Sequence, residues 1–408
     1  MNIWFISKYA TVPINAKSPS RLFYLAKEMH KIGHNVSLIT SDSNHFVQFP
    51  QTKKIYNKEQ IEGVYINWIK TFKYKKTASI ARVFSWFDFE IKLFALRISK
   101  SIKPDVVIVS SLSIFSVIYG CFLKKRFKSF LVFEIRDIWP LTMIEEGGFS
   151  KWHPLVMLIG LIEKFGYKKA DLVVGTMPKL DIHVRNILGY DKPFICSPLG
   201  FDPEKYYADN EYDKNPFNKY VKINKTIVGY AGSIGITNAL ETFIDTIKNM
   251  KDNSDLFFLI VGSGDLKEKY EEQLAGYNNV VFLPRIGQDQ VKSFLSVCDI
   301  LYLSTKDSKV WKYGQSMNKV VEYMLAGKPI IATYTGYPSM INEAECGLFV
   351  QSNKTEDLKN AILYYSNMSK DERLKIGENG RNWIYQYRTY DKLAKDYIDT
   401  ITNLMGNR

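Results

Sequence analysis

Short apolar runs that do not alternate recur along the whole chain, and a helix-length stretch separates most of them. In the first half they are NIWFI (2–6), NVSLIT (35–40), DVVIVS (105–110), FLVFE (130–134), DLVVG (171–175) and PFICS (193–197). In the second half they are TIVGYA (226–231), LFFLIV (256–261), NVVFL (279–283), DILYL (299–303), PIIAT (329–333) and GLFV (347–350). Runs rich in Val, Ile and Phe without a polar face are strands covered on both sides, so the sheets are expected to be parallel with helices on each face. Several are preceded by a helix that stops at Gly or Pro, as in KEMHKIGHNVSLIT and MLAGKPIIAT. This βαβα rhythm, run through twice, predicts two doubly wound, Rossmann-like α/β domains.

The stretch LGFDPEKYYADNEYDKNPFNKYVKINK (199–225) is polar and carries no strand signal, which puts the join near 205–215. The expected domains are 1–205 and 206–385, followed by an aromatic, amphipathic C-terminal segment, 386–408. A chain of 408 residues accommodates two such units comfortably.

Composition removes several function classes. The four cysteines, Cys121, Cys196, Cys298 and Cys346, form no C-x-x-C pair and read as buried free thiols in a reducing compartment. The five histidines form no H-x-x-x-H pair, so no metal is expected. MNIWFISKYA reads as a strand rather than a signal peptide, and VVIVSSLSIFSVIYGCFL (106–123) as a strand, a serine-rich turn and a helix rather than a membrane span. The net charge of +13 is lopsided. Residues 1–200 hold 29 Lys and Arg against 15 Asp and Glu, whereas the remainder is close to neutral. A one-sided basic surface points to a large anionic partner.

In doubly wound sheets ligands sit beyond the carboxyl ends of the strands, and between two facing domains that place is the cleft. Three second-half loops are expected there. YAGSIGITNALETF follows a strand and brings Gly229, Gly232 and Gly235 together, so backbone N–H groups can approach phosphate oxygens. LPRIGQDQV places Arg285 after another strand. SMNKVVEYMLAG reads as a helix with Ser316 as N-cap type and Gly327 as its stop. Lys319 then lies in the first turn, where the helix dipole disfavours a cation. A bound anion reverses that penalty. With Glu322 one turn further along the same face, the pair suits a sugar nucleotide, Lys319 on the diphosphate and Glu322 on the ribose hydroxyls.

These features together resemble a known family. GSIG after a strand, NKVVEYMLAGKPIIAT, GFDPEKY at the join and the twin α/β rhythm resemble the retaining glycosyltransferases of family 4, which have the GT-B fold. EIRDIWPLT (134–142) and the S-x-N-K-x-x-E-Y-M form, which includes Asn318, resemble the bacterial subgroup that builds cell-surface polysaccharides on lipid carriers. The resemblance implies a nucleotide-sugar donor, with UDP favoured, and no cofactor. It also implies a lipid-linked saccharide acceptor, a C-terminal helix that returns to the first domain, and a cytoplasmic protein peripheral to the inner membrane face. Two departures stand out. The first of the family's two glutamates falls on Gly314, which leaves the backbone N–H groups of Gly314, Gln315 and Ser316 to contact the donor. The usual Arg/Lys pair falls near Ser233 and Asn238. Phosphate neutralisation then rests on Lys319 and Arg285.

On the acceptor side, the resemblance assigns the loop ending in Ser20 and Arg21 to acceptor contacts. FEIRDIWP gathers Glu134, Arg136, Asp137 and Trp139 at a strand end. One reading is an internal Arg–Asp ion pair; the other puts Arg136 or Asp137 beside the acceptor hydroxyl as the catalytic group. The segment 70–103 has nine Lys and Arg against two acids, interleaved with aromatics, and is expected to contact an anionic membrane surface rather than nucleic acid. Two other functions compete with transfer: a sugar-nucleotide epimerase of the same fold, and a membrane-bound homologue that has lost donor binding.

Overall fold

The computed structural model describes residues 1–13, 20–43, 54–74, 80–96, 103–208, 215–222 and 224–407. The chain divides into two compact units, Met1–Pro198 with Tyr390–Arg408, and Leu199–Thr389.

The first unit holds eight strands: β1 (Asn2–Ile6), β2 (Asn35–Ser41), β3 (Tyr56–Ile61), β4 (Val64–Ile69), β5 (Val106–Ser110), β6 (Phe130–Ile135), β7 (Leu172–Gly175) and β8 (Phe194–Cys196). Their order is β3-β4-β2-β1-β5-β6-β7-β8. All neighbours are parallel except β3 and β4. That hairpin departs from the all-parallel expectation. Glu62 and Gly63 form its two-residue turn with φ of +46° and +83°, the left-handed pair that a tight hairpin needs. It sits at the sheet edge, so β3 alternates between covered and exposed positions where the central strands are buried throughout.

Helices cover both faces of this sheet. Ile3, Phe5, Val106 and Ile108 pack beneath the helices Arg21–Lys31 and Tyr390–Gly406. The last helix is thus built into the first unit, where Tyr390 stacks on Tyr24 with ring centroids 4.8 Å apart. The opposite face carries the helices Ser116–Phe127 and Pro154–Lys169. A Cβ on Gly120 would lie 2.7 Å from Val109 and 2.8 Å from Leu131, so the first of these helices rests directly on β5 and β6. The helix Ile80–Phe94 packs beside it, Phe94 meeting Tyr119 at 5.1 Å.

The second unit holds β9 (Thr226–Ala231), β10 (Leu256–Val261), β11 (Val280–Leu283), β12 (Ile300–Ser304), β13 (Ile330–Thr333) and β14 (Gly347–Val350). Their order, β11-β10-β9-β12-β13-β14, is parallel throughout. Each of the twelve apolar runs forms a strand at its expected place. The structure buries Cys298 and Cys346 but leaves Cys196 exposed. No described helix is long and apolar enough to cross a membrane.

Candidate functional site

The second unit gathers its polar side chains beyond the carboxyl end of β9, a central strand. Two glycine loops meet there. Gly232 N–H donates to the Val261 carbonyl at 3.0 Å and Ile234 N–H to that of Ser263 at 2.9 Å, which stitches the loop after β9 to the loop after β10. The approach leaves no space for side chains. A Cβ on Gly262 would fall 1.9 Å from the Gly232 oxygen, and one on Gly264 would fall 2.2 Å from that of Ile234. The sequence G-S-G-D at 262–265 carries the same strand-then-glycine signal as G-S-I-G at 232–235, and sequence reasoning missed it.

Lys319 lies in the first turn of the helix Asn318–Ala326 and points into this junction. Its Nζ donates to Tyr230 Oη at 3.1 Å and to Asn238 Oδ1 at 3.3 Å, and lies 4.4 Å from the centre of the Tyr230 ring. A Cβ on Gly232 would be 2.6 Å from that ammonium, so the glycine makes the room that Lys319 occupies. Tyr230 Oη in turn donates to the Ser233 carbonyl at 2.7 Å, which fixes its lone pairs toward the lysine. Ser304 Oγ bonds the Asn238 carbonyl and holds that loop to β12. The partners of Lys319 are thus a phenol, an amide oxygen and an aromatic face, none of them charged. Burial lowers the ammonium to about 8, and Glu322 offsets part of that fall.

Glu322 lies one turn further on and accepts from Gln288 Nε2. Burial raises its carboxyl above the usual range, against the pull of Gln288 and Lys319. Gln288 opens the helix Gln288–Ser296 and was not foreseen as a partner. Asn318, at the helix start, and Ser233, in the glycine loop, are exposed. Arg285 is exposed on the loop after β11 and has no ion pair or hydrogen bond among the described residues, so it stands apart from the Lys319 network.

Two expectations for this segment change. Ser316 is not the cap. Met317 holds that position without a side-chain bond, and Ser316 Oγ accepts instead from the Leu199 N–H at 2.9 Å. Gly314, with φ of +100°, donates its N–H to the Trp311 carbonyl at 3.0 Å, so that group is not available to a ligand. The N–H groups of Gln315 and Ser316 make no hydrogen bond among the described residues. The Gln315 side chain is buried, with Nε2 on Ser339 Oγ at 2.6 Å and Oε1 without a partner.

Arg21, in the first unit, is held differently. Arg21 is buried and pairs with Glu134 at 2.7 Å. Its remaining donors reach the carbonyls of Pro198 at 3.1 Å and Ser197 at 2.7 Å, and Ser197 Oγ at 2.6 Å. These partners hold the guanidinium inside the unit. Ser20 Oγ closes the turn by bonding the Thr11 carbonyl and N–H, both at 3.2 Å, and makes no cap to its helix. Arg136 and Asp137 do not form an ion pair with each other; the internal pair at this strand end is Glu134 with Arg21. Asp137 keeps its carboxyl free of hydrogen bonds among the described residues. Burial raises it above the usual carboxylate range, and the nearby Arg136 moderates the shift.

Of the basic segment 70–103, Lys75 and Lys76 lie outside the described residues. Lys73 pairs with Asp42 at 2.7 Å, and Arg82 lies over the rings of Tyr9 and Trp86. Among the described residues no three His, Cys, Asp or Glu side chains converge as metal ligands.

Residues 225–367, most of the second unit, match the family model described as Glycosyl transferases group 1. The whole chain has the GT-B fold of solved glycosyltransferases. Sucrose-phosphate synthase from Thermosynechococcus elongatus superimposes with a TM-score of 0.71 at 15% identity, covering 100% of this chain and 99% of the other. The E. coli structure described as trehalose-6-phosphate bound with UDP-2-fluoro glucose gives 0.71 at 10% identity, with 98% of both chains covered. Anabaena HepE in complex with UDP and glucose gives 0.64 at 14% identity, covering 98% and 99%. No curated protein matches the chain by sequence.

Proposed function

We propose that this protein is a retaining glycosyltransferase that moves a sugar from a UDP-sugar to a lipid-linked saccharide, in the assembly of a bacterial cell-surface polysaccharide. One observation carries the donor half of this reading: Lys319, a half-buried cation at a helix start, has only neutral partners. A diphosphate supplies the missing negative charge, and the first-turn N–H groups add to it. The group 1 match over this unit and the UDP in the HepE structure agree with that choice of ligand.

In this reading Lys319 and the glycine junction hold the diphosphate. Glu322, braced by Gln288, accepts from the ribose hydroxyls. As the glycosidic bond breaks, charge accumulates on the leaving diphosphate. A preorganised ammonium and backbone N–H groups stabilise it more than they stabilise the bound donor. No divalent ion is then required. The acceptor hydroxyl attacks from the face that the diphosphate leaves and passes its proton to that diphosphate, so no carboxylate nucleophile is assigned. Asp137, with its uncommitted carboxyl, and Arg136 are the groups we place beside the acceptor.

The test is calorimetry with UDP, followed by product analysis with UDP-sugars and lipid-linked saccharide in EDTA. Binding of UDP that is lost in Lys319→Ala, with sugar transferred in EDTA, supports the reading. No UDP binding points to the homologue that has lost its donor. Epimerised nucleotide without acceptor points to the epimerase, and activity restored only by manganese removes the metal-independent step.

A further inference from the structure

We propose that the outer face of the three-helix layer in the first unit docks on an anionic phospholipid bilayer. The layer consists of the helices Ile80–Phe94, Ser116–Phe127 and Pro154–Lys169, which pack side by side along the sheet. Phe94 joins the first two, its ring 5.5 Å from that of Phe122.

The exposed positions of these helices are unusual in kind. On the helix Ile80–Phe94 they are Phe84, Phe87, Ile91 and Phe94, a stripe at helical spacing, with Phe84 63% and Ile91 69% exposed. On the second helix Ile118 and Phe122 face out beside Lys125 and Arg126. The third exposes Met157, Leu158, Leu161 and Phe165, with Leu161 at 68%. The loop before it adds Phe149 and Trp152, the latter 71% exposed with Lys151 over its ring at 5.3 Å. Scattered exposed apolar side chains are ordinary, but a contiguous set across three helices marks an interaction surface.

Charge selects the occupant. Lys164, Lys168 and Lys169 stand among the apolar positions of the third helix, and no acid is exposed on any of the three among the described residues. The acids these helices carry are turned away or neutralised. Glu90 accepts from Ser113 at 2.8 Å and Ser116 at 2.6 Å. Glu163 accepts from Tyr167 at 3.0 Å and faces His183 at 2.8 Å. Asp88 pairs with Lys92 at 2.7 Å. The other face of the same sheet provides an internal control. Its C-terminal helix exposes Asp391, Lys392, Lys395, Asp396 and Asp399, both signs and no large apolar side chain. Apolar side chains fringed by exposed cations alone fit an acyl–headgroup boundary with negative lipids, whereas a protein partner places no such demand on sign.

This inference deepens the lipid-linked reading above, and it moves the contact from the cations of 70–103 to an apolar face centred on 154–169. The experiment is flotation of the full chain with vesicles of phosphatidylcholine alone or with 30% phosphatidylglycerol, at about 50 and 500 mM salt. Co-flotation is expected only with the anionic vesicles, weakening at high salt. Lys164→Gln with Lys168→Gln and Lys169→Gln is expected to weaken it by about fivefold per lysine. Trp152→Ser with Leu161→Ser is expected to weaken it at least as much, and Lys395→Gln is expected to leave it unchanged. Wild type that ignores anionic vesicles overturns the proposal, as do surface variants that float like wild type. So does a concentration-dependent dimer that Leu161→Ser dissolves, since a second copy is then the occupant. UDP calorimetry on each variant reports folding. It also separates the two readings, because UDP binding without flotation removes only this surface.

Discussion

Arg21 and Lys319 begin from the same sequence feature and end in opposite situations. Each is a cation in the first turn of a helix that follows a strand and a loop, and each was read as a ligand contact. Arg21 is buried, pairs with Glu134, and spends its other donors on Ser197 and Pro198. Lys319 meets only Tyr230 and Asn238. The difference teaches that position on a helix does not assign function to a charge. What matters is whether the fold itself provides the counter-charge. A cation neutralised inside its unit holds loops together, whereas one given only neutral acceptors leaves its charge for a ligand.

Removing the internal pair is expected to have the largest effect. Arg21→Ala strands the buried Glu134 carboxylate and is expected to destabilise the first unit by about 3–5 kcal/mol, read as a lower denaturation midpoint. Arg21→Met with Glu134→Leu is expected to recover much of that loss, because no buried charge is then left alone. A double variant as unstable as the single would locate the stability elsewhere.

Lys319→Ala comes next, with the opposite pattern. UDP affinity is expected to fall by about 1.5–3 kcal/mol while the ligand-free melting temperature holds or rises, since a desolvated cation has been deleted. Unchanged UDP affinity would return Lys319 to a structural role.

The titration of Lys319 sharpens the contrast further. Burial holds the ammonium down to about 8 in the free protein, and a bound diphosphate raises it. Binding is therefore linked to proton uptake. UDP affinity is expected to be steady below about pH 8 and to fall by up to tenfold per unit above it, until the pKa of the bound state is reached. Lys319→Ala is expected to flatten the profile. An equally steep profile in that variant would assign the linkage to another group.

The smallest effect belongs to Glu322→Gln. The side chain keeps one acceptor for the ribose and is expected to cost UDP affinity under about 1 kcal/mol, with pyrophosphate affinity unaffected. A loss of pyrophosphate binding would place Glu322 near the phosphates instead.

The sheet architecture was legible because buried parallel strands write themselves as unbroken apolar runs, and twelve such runs became strands. The hairpin of β3 and β4 was overlooked because its strands alternate at an edge, although Glu62-Gly63 and VYINWI carried the turn and the period-two signal. The site divides along the same line. Lys319, Gly232 and Asn238 converge, while Gln288 and the loop 262–264 come from distant stretches that no local pattern links to them.

The sequence by itself determined the two doubly wound units, the glycine loop and the helix that carries Lys319 in its first turn, because backbone preference and hydrophobic period act over a few residues. Only the tertiary structure decided that Glu134 serves Arg21 across 113 positions of chain, that Ser316 bonds Leu199 rather than capping its helix, and that the apolar side chains of 154–169 face outward. A charge is neutralised, and an apolar side chain covered, by whatever the folded chain brings within a few ångströms. Local sequence does not encode that neighbour.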